Sequence, residues 1–249
     1  MSGSMDGKVV VVTGAAGSIG RAAVTVLRRE GATVVGVDLR DVDDTGADSF
    51  VACDLTVEAQ VKDLYDGVVR RLGRIDALFN NAGVALPADS STLDADLSVF
   101  ARTMAINVES VLLCCKYGIP HLIAGGGGSV VNTASLVARM GSAVSQIGYT
   151  ASKGAVVAMS REMGVELARK GIRVNSLSPG PVQSPMLEGL FSADEVARRM
   201  VHVPAGRFGT AAEMAEAALF LLSDASSFVN GFELVVDGGI SAAYVTPED

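Results

Sequence analysis

The sequence predicts an α/β fold, a doubly wound sheet of seven mostly parallel strands flanked by helices. Two observations carry this. Short β-branched runs alternate with stretches of helical periodicity along the whole chain. Most of those runs are continuously apolar rather than alternating, as expected for strands covered by helices on both faces.

The strand runs are Val9–Val12, Thr33–Val37, Phe50–Cys53, Ile75–Phe79, Ser129–Val131, Arg173–Leu177 and Phe232–Val236. Between the first two, Ile19, Ala22, Ala23, Val26 and Leu27 recur at helical spacing, and Gly31 stands where a left-handed cap is wanted. Further helical patterns fall near 57–72, 97–118, 150–169 and 211–222, and Gly125–Gly128 reads as a flexible turn. The chain carries no repeat and no linker, so residues 1–249 are expected to form a single dinucleotide-binding and catalytic domain. Residues 1–6 are read as disordered or a vector remnant.

Composition narrows the function. Apolar residues at 49% and charged residues at 19% fit a globular chain, and no apolar run approaches the roughly 18 residues of a membrane span. Met1–Gly7 has neither the basic nor the apolar region of a secretory signal, which predicts a cytoplasmic protein. A net charge of −8 and the absence of tryptophan leave neither a basic stripe nor a strong stacking platform, which argues against nucleic acid. Cys53, Cys114 and Cys115 lack framework spacing and are expected as buried thiols. His121 and His202 have no companion ligands, so no metal is expected.

Directly after the first strand comes Thr13-Gly14-Ala15-Ala16-Gly17-Ser18-Ile19-Gly20, a glycine turn opening a helix. That context makes it a Rossmann-type dinucleotide fingerprint: glycines allow close backbone approach, and the helix N-terminus presents N–H groups to a pyrophosphate. The second strand ends in Asp38, whose carboxylate can accept from both ribose hydroxyls and would repel a 2′-phosphate. NAD is therefore expected over NADP, with Arg40 close enough to blur the preference.

Tyr149 and Lys153 stand at i and i+4 on a predicted helix and share one face. A phenol's pKa near 10 is high for proton exchange at neutral pH, and a neighbouring ammonium or an oxidised nicotinamide favours the phenolate. Ser135 lies just beyond the strand Val130-Val131, at the carboxyl edge where open α/β sheets bind ligands, and can orient a substrate oxygen. Thr133, on the same strand face, is the fallback hydroxyl.

With these motifs in order, together with Asp54-Leu55, Asn80-Asn81-Ala82-Gly83, Asn107, Arg173-Val174-Asn175, Pro179-Gly180, Gly206-Arg207 and Asp237-Gly238-Gly239, the chain resembles the classical short-chain dehydrogenase/reductase family from Thr13 to Gly239. The resemblance implies that Tyr149 is the general acid/base and that Ser135 holds the reacting oxygen. Lys153 would bind the nicotinamide ribose and lower the Tyr149 pKa, and Asn107 would support a relay water. It further implies cofactor contacts from Gly14, Gly17, Ser18, Ile19, Gly20, Asp38, Leu39, Asp54, Leu55, Asn81, Ala82, Gly83, Pro179, Gly180, Val182 and Ser184. Asn81 reads nearly as well as a turn residue supporting the central strands.

Three departures from the family pattern stand out. Ser18 replaces a usual glycine, and the resulting Gly14, Gly17, Gly20 spacing is shared with the extended branch of epimerases and dehydratases. Ser135 precedes Tyr149 by fourteen residues, one more than the commonest spacing, and Ser184 stands where threonine is frequent.

The expected reaction is interconversion of a secondary alcohol and a ketone. The alternatives are an NAD-dependent epimerase or dehydratase and a non-catalytic nucleotide-binding protein. Segments 84–96, 136–148 and 183–203 should surround the substrate. Leu136, Met140, Met186, Leu187, Leu190, Phe191 and Met200 give them an apolar tone that suits a hydrophobic or cyclic alcohol, while Arg139 and Arg198-Arg199 are candidates to meet an anion. Excess apolar surface on helices 97–118 and 150–169 suggests a homotetramer, with a dimer as the alternative.

Overall fold

The computed structural model describes residues 3–42, 45–142, 144–183 and 193–245. Its strands are Val9–Thr13 (β1), Thr33–Asp38 (β2), Ser49–Ala52 (β3), Ala77–Asn80 (β4), Gly128–Thr133 (β5), Ile172–Pro179 (β6) and Glu233–Val236 (β7). The helices are Ser18–Arg29 (α1), Glu58–Leu72 (α2), Leu97–Met104 (α3), Ser110–Ala124 (α4), Ile147–Leu167 (α5), Ala193–Met200 (α6) and Ala211–Leu222 (α7).

One seven-stranded sheet runs in the order β3-β2-β1-β4-β5-β6-β7. Every pairing is parallel, so the expected mostly parallel sheet is parallel throughout. The chain winds outward from β1 to β3, then returns to place β4 on the other side of β1. That reversal opens a crevice between the carboxyl ends of β1 and β4, where this topology binds ligands.

The apolar run of β1 explains why the sheet needs two helical layers. Val9 and Val11 join a core that includes Tyr65 of α2, Cys114 of α4 and Val156 of α5. Val10 and Val12, pointing the opposite way, join Val24 of α1 and Met214 and Leu221 of α7. Each such buried side chain contributes on the order of 2 kcal/mol relative to exposure. The three cysteines are buried free thiols. Burial raises Cys53 to about 11 and Cys114 to about 12, which keeps both protonated and inert.

Three expectations change. Gly3–Asp6 are not outside the folded domain: Met5 is buried, and its N–H donates to the Glu30 carbonyl at 3.0 Å. The helix expected over 97–118 continues to Ala124, past Pro120, and is interrupted by a π-helical turn at Ala105–Glu109. The resulting rod, Leu97–Ala124, is also long and apolar enough by composition to cross a membrane. Short runs hid this because scattered polar residues break them. Val111, Cys114 and Leu122 instead place one face of the rod in the sheet core.

Candidate active site

Among the described residues, the predicted chemistry lies at the carboxyl edge of the sheet. After β1, Gly14 takes φ of +65°, and a Cβ there would sit 2.9 Å from the Ala82 Cα. A Cβ on Gly20 would come to 2.1 Å from the Gly14 carbonyl oxygen. The glycines thus hold the turn tight against the end of β4, and Gly17 opens α1 without a side-chain cap. Its first N–H groups remain available to an anion, as a pyrophosphate site requires.

Asp38, at the end of β2, bends back onto this turn. One carboxylate oxygen accepts from the Ala16 N–H at 3.1 Å and the other from the Arg40 N–H at 3.3 Å. The Arg40 guanidinium lies 3.7 Å from Asp38, with 70% of its side chain exposed. Leu39, also exposed, flanks the pair. A cradle of glycine and main-chain donors bordered by a carboxylate fits a dinucleotide.

The neighbouring residues divide between display and support. Asp54 accepts from the Thr56 N–H at 2.9 Å and hydroxyl at 2.6 Å, which holds its carboxyl below the usual range, whereas Leu55 is buried. Asn81 is a strut: its N–H donates to the Thr13 hydroxyl at 3.0 Å, its Nδ2 to the Thr13 carbonyl at 3.3 Å, and its Oδ1 accepts from Thr133 at 3.3 Å. Ala82 also donates its N–H to Thr13, at 3.1 Å. At the far side, Gly180 donates to the Val236 carbonyl at 2.9 Å, closing the turn after Pro179, and Val182 bridges to Gly209. Ser184, Met186, Leu187, Leu190 and Phe191 lie outside the described residues.

The catalytic candidates converge. Ser135 follows β5, and its hydroxyl accepts from the Val137 N–H at 3.5 Å and lies close enough to the Tyr149 phenol to favour its ionised form. The extra residue between Ser135 and Tyr149 therefore does not part them. Thr133 does not compete, because its hydroxyl turns to Asn81. Lys153 is buried, its Nζ 5.6 Å from the Tyr149 ring centroid and donating to the Thr133 carbonyl at 2.9 Å. A Cβ on Gly83 would lie 3.2 Å from that ammonium.

Burial dominates the electrostatics. Tyr149 is half-buried as a residue, but its hydroxyl lies deep enough that desolvation raises its pKa, with the nearby Ser135 hydroxyl opposing. Desolvation lowers Lys153 to about 8. In the free enzyme the pair thus departs from the expected acidified phenol: the phenol holds its proton more tightly than usual.

Asn107 sits in the π-helical turn, and its side chain is fully engaged. It donates to the Val84 carbonyl at 2.9 Å and to Ser152 Oγ at 3.0 Å, and accepts from the Val84 N–H at 2.8 Å. Ser152 in turn donates to the Tyr149 carbonyl at 2.7 Å. Sequence reasoning missed Ser152, although its place between Tyr149 and Lys153 was a usable signal. It also missed Asp89, which accepts from the Gly148 and Tyr149 N–H groups at 3.0 and 2.7 Å. No local pattern announces a partner that far away in sequence. Arg139 is not free to meet an anion: it pairs with Glu233 at 2.8 Å, and Glu233 also accepts from Ser178.

A cleft of about 620 Å³ opens at the opposite edge, around Lys8, Arg74, Gly127 and Arg173. It contains none of the chemistry above, and its Arg74 is paired with Asp76.

Known proteins give the same picture. A family model described as enoyl-(acyl carrier protein) reductase matches residues 14–241. A 2,5-dichloro-2,5-cyclohexadiene-1,4-diol dehydrogenase of Sphingobium indicum is 38% identical, over 96% of this chain and 98% of its own. The cis-4-hydroxycyclohexanecarboxylate dehydrogenase of Sinomonas cyclohexanicum is 38% identical, over 94% and 97%. The crystal structure of a short-chain dehydrogenase/reductase from Burkholderia xenovorans superposes with a TM-score of 0.90 at 37% identity, covering 97% of this chain and 99% of that one. With its motifs in order and its sheet, turn and Ser-Tyr-Lys cluster in place, the chain belongs to the classical short-chain dehydrogenase/reductase family and is an oxidoreductase.

Proposed function

We propose that this enzyme interconverts a secondary alcohol and a ketone using NAD(H), with Tyr149 as the general acid/base. The observation that carries this reading is the meeting of Ser135, Tyr149 and Lys153 beside the glycine cradle. When bound there, the nicotinamide cofactor accepts a hydride from the carbinol carbon or returns one to the carbonyl carbon.

The chain's own residues handle the proton and the geometry. Ser135, beside the phenol, is placed to share the substrate oxygen with it and so to set the distance for transfer. In reduction, Tyr149 donates its proton to the forming alkoxide; in oxidation its phenolate removes the hydroxyl proton. Lys153 has one protein acceptor, the Thr133 carbonyl, among the described residues, leaving its other N–H bonds for ribose hydroxyls. The oxidised nicotinamide's positive charge would add to the ammonium and offset the desolvation that holds Tyr149 protonated. Asn107 maintains this arrangement through Val84 and Ser152, and its main chain in the π-helical turn is the proposed support for a relay water.

Asp38 supports NAD over NADP, and its pairing with Arg40 leaves that guanidinium drawn to a carboxylate. The substrate is proposed to be a neutral, apolar or cyclic alcohol. Met140 and Val144 stand exposed on the segment leading to Tyr149, Arg139 is neutralised by Glu233, and two relatives are named for cyclohexane or cyclohexadiene derivatives. Leu97 and Val165, 78% and 74% exposed, lie on α3 and α5 and support assembly as a homotetramer. We also propose that the enzyme works in the cytoplasm.

The test of the central claim is Tyr149→Phe. It should lower kcat by roughly 10²–10⁴-fold, the range for a lost acid/base group, while NADH binding stays within twofold. Near-normal turnover would overturn the reading.

A further inference from the structure

Helix α5 carries Tyr149 in its first turn, yet that turn has no cap of its own: Gln146, at the capping position, makes no side-chain hydrogen bond to it. Its N–H groups find partners in the loop after β4 instead. Ile147 donates to the Ser90 carbonyl at 3.3 Å, Gly148 to Asp89 Oδ1 at 3.0 Å, and Tyr149 to Asp89 Oδ2 at 2.7 Å. One carboxylate therefore takes two consecutive amides, one per oxygen. Gly148 is what lets it approach, since a Cβ there would lie 3.3 Å from both carboxylate oxygens.

A capping side chain from within a helix stabilises the helix but does not fix where it sits. A carboxylate supplied from another element does both, and its charge suits the positive end of the helix dipole. The same loop holds Tyr149 a second way, because Val84 is clamped by Asn107, Asn107 donates to Ser152, and Ser152 donates to the Tyr149 carbonyl. Both main-chain polar groups of Tyr149 are thus tethered to the segment following β4.

We propose that Asp89 is a positioning residue for proton transfer, holding the first turn of α5 so that the Tyr149 hydroxyl keeps its place beside Ser135. This rests on Tyr149 being the acid/base group. Asp89 acts through the Gly148 and Tyr149 amides and is not itself a catalytic residue.

The test compares the full-length wild type with Asp89→Ala, Asp89→Asn and Gly148→Ala, using NAD and trans-1,2-cyclohexanediol as the oxidation probe. Three further measurements need no turnover: NADH affinity, hydrogen exchange at the Gly148 and Tyr149 amides, and a phenol titration by ultraviolet difference against Tyr149→Phe. Asp89→Ala should exchange those two amides at least roughly tenfold faster, shift the phenol titration and cut kcat roughly tenfold or more, with NADH affinity within twofold. Asp89→Asn, keeping one acceptor, should recover part of each loss, and Gly148→Ala should lose part by crowding the carboxylate.

Unchanged exchange and an unmoved titration in Asp89→Ala would overturn the proposal, whatever the diol shows. So would a loss of kcat matched by an equal loss of NADH affinity and folded protein, since that describes general destabilisation. If Asp89→Ala does not fold, Asp89→Asn and Gly148→Ala decide by the same readouts. Turnover surviving in Tyr149→Phe would instead remove the acid/base reading, a result separable from the amide measurements.

Discussion

The two halves of the active edge are built differently. The cofactor cradle is nearly contiguous in sequence: Thr13 to Gly20 forms a turn whose shape follows from glycine stereochemistry, and Asp38, one βαβ unit away, bonds directly back to it. The half proposed to be catalytic is gathered from afar. Ser135 follows β5, Lys153 reaches the Thr133 carbonyl, and Tyr149 is held by Ser152 and Asp89. The first half is a local structure that the fold displays. The second exists only once the fold has formed, and it carries burial costs that the first avoids.

Lys153 breaks this comparison most sharply. Lys153→Met should lower kcat by roughly 10²–10⁴-fold through loss of the charge beside Tyr149. The same change should raise the thermal midpoint of the free enzyme at neutral pH by a few degrees. The sign follows from the lysine's pKa of about 8 in the folded protein against an ordinary 10.5: folding disfavours the bound proton, so burying the ammonium costs stability below about 8, and that cost fades as pH rises toward 10.5. Paired melting curves across this range check it. A midpoint that falls at neutral pH would show that the Thr133 bond outweighs desolvation.

A smaller effect is expected in the cradle. Asp38→Ala should weaken NADH by roughly tenfold, the scale of a lost charged hydrogen bond, and should improve NADPH as Arg40 is released. Fluorescence titration with both nucleotides reads this directly. Unchanged NADH and NADPH affinities would mean that the carboxylate serves only the turn.

The smallest is a change of slope with pH. Because burial keeps the Tyr149 phenol protonated, oxidation should speed up as pH rises, whereas reduction should be fastest on the acid side and decline as the phenol titrates. Initial rates in both directions across the range provide the check, and parallel profiles would contradict it.

Much of the molecule was legible in residue order. Parallel strands betray themselves by unbroken apolar runs, and the glycine turn and the Tyr149–Lys153 spacing lie within single elements. The rod Leu97–Ala124 was less legible, because its π-helical turn, which carries Asn107, has no composition of its own. Residues 3–6 were misread because a short polar leader gives no sign that Met5 packs beneath Glu30.

By itself, then, the chain's order of residues determined the sheet, the cradle and the pairing of Tyr149 with Lys153 on one helix face, since each depends on periodicity, glycine stereochemistry or one helical turn. Tertiary structure alone decided that the Thr133 hydroxyl turns to Asn81 and leaves Ser135 beside the phenol, that Arg139 is spent on Glu233, and that Asp89 takes the first amides of the helix carrying Tyr149. It also decided that desolvation, not the neighbouring ammonium, governs Tyr149 in the free enzyme. These outcomes depend on burial and on contacts between distant segments, which have no local signature.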